Sequence, residues 1–165
     1  MGQDLDGEAA GDWFGWSVSL SADGSRLAAG GRYNDGNGTE AGHVRVFEWN
    51  GSAWVQVGED LDGEAAGDGF GRSVSLSADG SRLAAGGWKN AGNGTDAGHV
   101  RVFEWSGSAW VQVGADLDGE AAGDGFGWSV SLSADGLRLA AGGRYNDGNG
   151  SDAGHVRVFE WSGSA

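Results

Sequence analysis

Apolar and polar residues alternate with a period of two along this chain, and no segment shows the 3.6-residue spacing of a helix. Phe14, Trp16, Val18 and Leu20 alternate with Gly15, Ser17, Ser19 and Ser21, which predicts a first strand. Ser21-Ala22-Asp23-Gly24-Ser25 follows as a tight turn, because Asp-Gly supplies the positive-φ residue that a hairpin needs. Arg26 to Gly31 predicts a second strand, built of small residues that let a neighbouring backbone come close. A loop rich in Asn, Asp and Gly runs from Arg32 to Gly42. The segment from His43 to Trp49 is dense in β-branched and aromatic residues and predicts a third strand. Asn50-Gly51 then turns the chain into a fourth strand at 53–57. The class is all-β.

This pattern repeats. The segment from Asp4 to Asp12 returns at Asp60–Asp68 and at Asp116–Asp124, an offset of 56 residues each time. Residues 58–109 and 114–165 differ at only seven positions. The chain therefore divides into units at 1–57, 58–113 and 114–165, the first with its outer strand at 53–57. A four-stranded antiparallel sheet with apolar groups on both faces cannot bury them alone. Stacked around an axis, each sheet covers the next, so every unit is expected to be one blade of a β-propeller. A stacked solenoid or a sandwich is the alternative. Closed propellers use about four to eight blades, so three predict an incomplete ring. Ala53 and Ala109 are each followed by Trp-Val-Gln-Val, whereas the third unit ends at Ala165 with that outer strand missing. Either further blades of a longer chain or further copies of this one are expected to complete the ring.

Three stretches recur in each unit. Phe14-Gly15-x-Ser17-Val18, Ala29-Gly30-Gly31 and Gly42-His43-Val44-Arg45-Val46-Phe47 resemble the FG-GAP repeat of integrin α-chain propellers and their bacterial and algal relatives. The signature stands again at Phe70-Gly71-x-Ser73-Val74 and Phe126-Gly127-x-Ser129-Val130. Two departures are visible. The Gly-Ala-Pro element reads Gly30-Gly31-Arg32, and the aspartate-rich calcium loop that integrins often carry is shortened to Ala22-Asp23-Gly24-Ser25. The resemblance implies an extracellular or cell-surface protein with its ligand surface on the long-loop face. The start of this sequence carries no signal-peptide pattern.

The substitutions between copies fall mostly on that same face. Trp13, Trp16, Arg32, Tyr33, Asp35, Arg72, Trp88, Lys89, Trp128, Arg144, Tyr145 and Asp147 are the candidate ligand-binding residues, and Trp, Tyr and Arg are the types that dominate binding hot spots. The acidic segments offer a calcium hypothesis on Asp4, Asp6 and Asp12, on Asp60, Asp62 and Asp68, and on Asp116, Asp118 and Asp124, since hard cations want several carboxylate oxygens. The competing reading is a solvated turn in which Asp12 caps backbone N–H groups. His43, His99 and His155 recur once per unit, with no second ligand beside them in sequence. Asn37, Asn50, Asn93 and Asn149 stand in glycosylation sequons, though Asn-Gly is also a favoured turn dipeptide.

Composition narrows the field. Twenty-four acidic and ten basic residues give a net charge of -14, which repels phosphate backbones and argues against nucleic acid as a partner. Nine Trp and 39% hydrophobic residues require a packed core, despite 35 Gly. Without cysteine there is no disulfide, thiolate metal site or cysteine nucleophile. No apolar run is long enough for membrane insertion. No Gly-x-Ser-x-Gly elbow or phosphate-cradling loop before a helix appears, so no catalytic residue and no cofactor beyond calcium is expected. The expectation is a non-enzymatic binding or adhesion scaffold for a protein or glycan. The alternative is a structural or engineered self-assembling repeat with no ligand, closing its ring as a homo-oligomer.

Overall fold

The computed structural model describes residues 1–163, so the last two residues of the third unit lie outside the described ones. Three twisted sheets follow one another along the chain, and among the described residues there is no helix. The first sheet holds β1 (Ser17–Leu20), β2 (Arg26–Gly31), β3 (His43–Trp49), β4 (Trp54–Gln56) and β5 (Leu61–Asp62). The second holds β6 (Phe70–Leu76), β7 (Arg82–Gly87), β8 (His99–Trp105), β9 (Trp110–Gln112) and β10 (Leu117–Asp118). The third holds β11 (Phe126–Leu132), β12 (Arg138–Gly143) and β13 (His155–Glu160). Strand partners within each sheet are antiparallel, and equivalent strands share one register: Gly30 faces Val44, Gly86 faces Val100, and Gly142 faces Val156. The chain is a partial β-propeller.

The outer strand β4 is shorter than the expected 53–57, but its edge pairing continues past it. Val57 N–H still donates to Val46 O at 2.9 Å, Gly58 turns the backbone at φ +81°, and β5 then rejoins the same edge of β3 with Leu61 opposite Val44 and Asp62 opposite His43. The acidic segment thus begins as strand. Asp60 and Asp62 are thereby pinned beside a histidine seventeen and nineteen residues earlier.

Blades touch through their glycines. A Cβ added at Gly30 would lie 2.1 Å from the carbonyl oxygen of Gly71, and one at Gly86 equally close to that of Gly127. Ser17 Oγ donates to Gly71 O at 2.7 Å and Ser73 Oγ to Gly127 O at 2.8 Å, so each seam is stitched by the same hydroxyl. The apolar core lies between the blades. Ala28, Val44 and Val46 meet Phe70, Val74, Leu76 and Leu83 in the first seam, and Ala84 and Val100 meet Phe126, Leu139 and Ala141 in the second. Trp110 is buried in the first cluster, its Nε1 donating to Val57 O at 3.1 Å. The second seam keeps an open groove lined by Val102, Val113, Leu117, Leu132 and Phe159.

Position in the stack decides burial. Val74 and Leu76 are 8% and 7% exposed, whereas their copies Val18 and Leu20 are 63% and 57% exposed. Val100 is fully buried, while its copy Val156 is 69% exposed. Identical sequence is dry in the middle blade and wet on the outer faces.

The turns between the first two strands of each blade are held by carboxylates. Asp23 Oδ1 accepts from Ser21 Oγ, Ser25 N–H and Ser25 Oγ at 2.7, 2.9 and 2.8 Å, and these bonds hold its pKa down at about 2. Asp79 and Asp135 are also held below the ordinary carboxylate value, first by the backbone bond from Ser81 and by the Ser133 hydroxyl respectively. A carboxylate whose folded pKa is depressed stabilises the fold above its unfolded value near 3.9, and that contribution disappears as pH falls. Thermal melts are therefore expected to drop between about pH 4 and pH 2. Replacing Asp23, Asp79 and Asp135 together by Asn should flatten that limb of the profile.

Candidate functional site

The start of each inner strand and the end of each second strand emerge at one end of the blades. Trp13 and Trp16 precede β1, and Arg32 and Tyr33 follow β2. Arg72 lies in β6, Trp88 and Lys89 follow β7, Trp128 lies in β11, and Arg144 and Tyr145 follow β12. Their side chains form one belt of rings and cations across all three blades. Arg32 sits 4.2 Å from the Trp16 ring centroid and 4.3 Å from that of Tyr33. Trp13 stacks on Trp16 at 5.5 Å. Arg72 bridges the seams, 5.1 Å from the Trp16 ring and 4.0 Å from that of Trp128. Trp88 meets Trp128 edge to face at 5.0 Å, with Lys89 4.8 Å from the Trp88 ring. Arg144 completes the belt, 4.6 Å from Trp128 and 5.0 Å from Tyr145.

Local backbone chemistry explains this placement. Trp16 N–H donates to Trp13 O, a turn that Arg72 and Trp128 repeat with Gly69 O and Gly125 O. That turn needs a left-handed residue, and Gly69 and Gly125 supply it at φ +59° and +60°. Trp13 occupies the same conformation at φ +52°, a geometry costing a non-glycine residue about 1–2 kcal/mol. The tryptophan is thus held in the belt against a backbone preference. Asp35 and Asp147 stand apart from the belt: each carboxylate accepts a backbone N–H within its own loop, from Glu40 and Asp152.

The charge arrangement is uneven. Arg26, Arg82 and Arg138 pair with Glu48, Glu104 and Glu160, while Arg45, Arg101 and Arg157 pair with Glu8, Glu64 and Glu120. The remaining four of the ten cations are Arg32, Arg72, Lys89 and Arg144, and among the described residues none of them forms an ion pair within 4.0 Å. Burial, and then the neighbouring guanidiniums of Arg32 and Arg144, pull the pKa of Arg72 down. The belt is a concentration of positive charge on a strongly acidic molecule.

The acidic segments are built differently. Asp12, Asp68 and Asp124 are buried, and each accepts the N–H of Ala9, Ala65 or Ala121 at 3.0 Å and the Nδ2 of Asn34, Asn90 or Asn146 at 3.1 Å. They cap their loops and tie them to the long loops. Asp6 and Asp62 hold Arg45 and Arg101 through their carbonyl oxygens, and Asp118 holds Arg157 in the same way. Burial, then Asp60, pushes the carboxyl of Asp62 up. Asp4, Asp6 and Asp12 form no ligand group among the described residues. The carboxylates gather instead around the histidines: Glu8 and Asp60 at His43, and Glu64, Asp68, Asp116 and Asp118 at His99. His155 has Glu120 at 3.6 Å. The histidines have no second ligand beside them in sequence, and the fold brings carboxylates to them from distant segments, Glu8 and Asp60 to His43. Two sequon asparagines tie their loops to the next acidic segment, Asn37 and Asn93 donating their amides to Gly63 O and Gly119 O, each at 2.8 Å, while Asn50 Oδ1 accepts the N–H groups of Ser52 and Ala53 within its own turn.

The model of the FG-GAP repeat matches residues 5–47 and 113–159, more than half of the chain. The chain belongs to the FG-GAP repeat family. No curated protein matches its sequence. Among solved structures, the hydrazine synthase of Kuenenia stuttgartiensis is similar over 98% of this chain and 36% of that one, at 12% identity and a TM-score of 0.53. A provisionally assigned 6-phosphogluconolactonase from Bacteroides uniformis matches over 87% of this chain and 36% of its own, at 18% identity and a TM-score of 0.58. A chain of the mitotic checkpoint complex gives 14% identity, a TM-score of 0.52 and the same two coverages, 87% and 36%. These likenesses concern fold alone, and this chain spans about a third of the length of each of those chains.

Within this FG-GAP repeat chain, ten of the twelve residues singled out on the long-loop face stand together in the belt, and Asp35 and Asp147 do not. The phenylalanine of the family signature serves the core: Phe70 and Phe126 are fully buried. Its glycine takes the chain past the neighbouring blade, with Gly71 at φ +81°.

Proposed function

We propose that this FG-GAP repeat propeller is a non-enzymatic binding scaffold whose long-loop face takes an acidic ligand, a protein segment or a glycan. The observation that carries the reading is the division of its cations. Six are matched to glutamates, and the four of the belt lie over aromatic rings with no carboxylate partner among the described residues. Trp and Tyr offer flat apolar surface for a sugar ring or a side chain, and Arg offers planar donors for carboxylate or sulfate. An arriving anion also relieves the mutual repulsion of Arg32, Arg72 and Arg144. FG-GAP repeats are typical of extracellular proteins, a setting that agrees with such a role.

Dextran sulfate and polyglutamate are suitable probes for a glycan-like and a protein-like polyanion. The chain is expected to bind at least one of them at low salt although both carry its own sign of charge. Binding should weaken as salt rises and fall about tenfold or more in the Arg144→Gln, Lys89→Gln double variant, with unchanged melting temperature. Absence of binding to either, or binding indifferent to that double variant, overturns the acidic-ligand reading. A second reading, assembly through the outer blades without any ligand, rests on the exposed faces carrying Val18, Leu20, Val156 and Val158.

A further inference from the structure

The belt leaves one repeated feature without a role. His43 and His99 are fully buried, yet neither ring nitrogen of either residue has a hydrogen-bond partner. An imidazole removed from water without a partner is costly, and such orphans call for an explanation. Each Nδ1 points at two carboxylates. His43 Nδ1 lies 3.4 Å from Asp60 Oδ2 and 3.8 Å from Glu8 Oε2. His99 Nδ1 lies 3.4 Å from Asp116 Oδ2 and 3.8 Å from Glu64 Oε2.

These separations suit a shared ion. In a tetrahedral site with bonds of about 2.1 Å, donor atoms stand about 3.4 Å apart. The carboxylates are also oriented from behind. Gln56 Nε2 donates to Asp60 Oδ1 at 2.6 Å and Gln112 Nε2 to Asp116 Oδ1 at 2.7 Å, which leaves each Oδ2 turned toward the histidine. Arg45 and Arg101 stand beside the Oε1 atoms of Glu8 and Glu64 at 3.9 and 3.8 Å, which leaves each Oε2 on the same side. Asn34 and Asn90 also reach those Oε2 atoms, at 3.3 and 3.5 Å. The outer donors thus fix each aspartate by one oxygen and leave the other free, as a metal-binding carboxylate needs, while each glutamate Oε2 keeps a second lone pair beside its asparagine.

We propose that the His43 and His99 centres each bind a divalent transition-metal ion, zinc foremost, through one imidazole nitrogen and two carboxylate oxygens. One nitrogen with two oxygens favours zinc over calcium, which prefers six to eight oxygens. The fourth position is left to water or to a neighbouring carboxylate, such as Asp118 at the His99 centre. The centres lie between elements 17 and 35 residues apart in sequence, so an ion there fastens an outer strand and an acidic loop to the start of β3 or β8. This assignment does not depend on the acidic-ligand reading.

Titration of the full chain with zinc chloride in a calorimeter is expected to show two ions bound per chain. Cobalt chloride should give the intense visible absorption of a tetrahedral ion, reversed by zinc but not by calcium. Because changing a buried imidazole risks unfolding, the deciding variants are Asp60→Asn and Asp116→Asn, whose side chains are 26% and 27% exposed. Each should remove one ion from the stoichiometry. Gln112→Ala should weaken one site about tenfold by freeing Asp116 to rotate. Asp23→Asn, in a distant turn, should change nothing. No saturable zinc binding, or two ions still bound by the Asp60→Asn, Asp116→Asn double variant, overturns the assignment.

Discussion

Sedimentation of the isolated 165-residue polypeptide is expected to give a mass well above the 16.8 kDa of one chain. Val18 and Leu20 on one outer face and Val156 and Val158 on the other are 57–69% exposed, while their counterparts in the inner seams are largely covered. Burying such a side chain is worth about 1.5–3 kcal/mol, so even a few on each face favour association strongly. The faces are different surfaces, and they complement one another as Val44 and Val46 complement the second blade. Association should therefore be head to tail, the arrangement that makes rings or open filaments. With a net charge of -14 the copies repel, so salt should strengthen assembly. Val156→Glu with Val158→Glu should return the chain to a monomer without loss of its strand signal in circular dichroism. A wild-type chain that stays at 16.8 kDa at high concentration and high salt would show that these faces tolerate water.

Gly86→Ala is expected to lower stability by about 3 kcal/mol, near the upper end for forcing atoms into a packed interior. The added methyl would stand 2.1 Å from a backbone carbonyl oxygen, that of Gly127, and backbone cannot swing aside as a side chain can. The second and third blades must then part, which breaks the Ser73–Gly127 bond as well. For a domain of this size the loss corresponds to a melting temperature lower by roughly 6–12 °C. Gly142→Ala is the matched control. It occupies the same position in the last blade, where the new methyl crowds the Ser129 hydroxyl at 2.7 Å, a group free to rotate, and lies at an ordinary contact distance of 3.8 Å from His155 O. Its cost should be less than half as large. Equal effects at the two positions would show that close blade contact is not the reason for glycine here.

Much of the architecture was legible because it is local. Alternation marks the first strand, small residues mark β2 and β-branched and aromatic density marks β3, Asp23-Gly24 and Asn50-Gly51 mark the turns, and a 56-residue period multiplies the evidence threefold. The belt was legible for another reason: its positions are where otherwise near-identical copies differ. What escaped depends on contacts between blades. The first strand was expected from Phe14, and in the second and third blades it does begin at Phe70 and Phe126. There, Phe70 N–H donates to Ala41 O and Phe126 N–H to Ala97 O, bonds supplied by the preceding blade. Phe14 has no such blade before it among the described residues, and β1 starts only at Ser17. The histidine centres escaped because they require the kink at Gly58 and the pairing of Asp62 with His43. Nothing in the residues flanking His43 announces either.

The serine-to-carbonyl stitch has an evolutionary corollary. Ser17 to Gly71 and Ser73 to Gly127 are the same joint made twice, so inserting or deleting a whole module leaves every remaining joint chemically unchanged. Copy number in such an array can drift by unequal recombination at no local expense. What disciplines it is geometry, since only certain tallies let the last module meet the first.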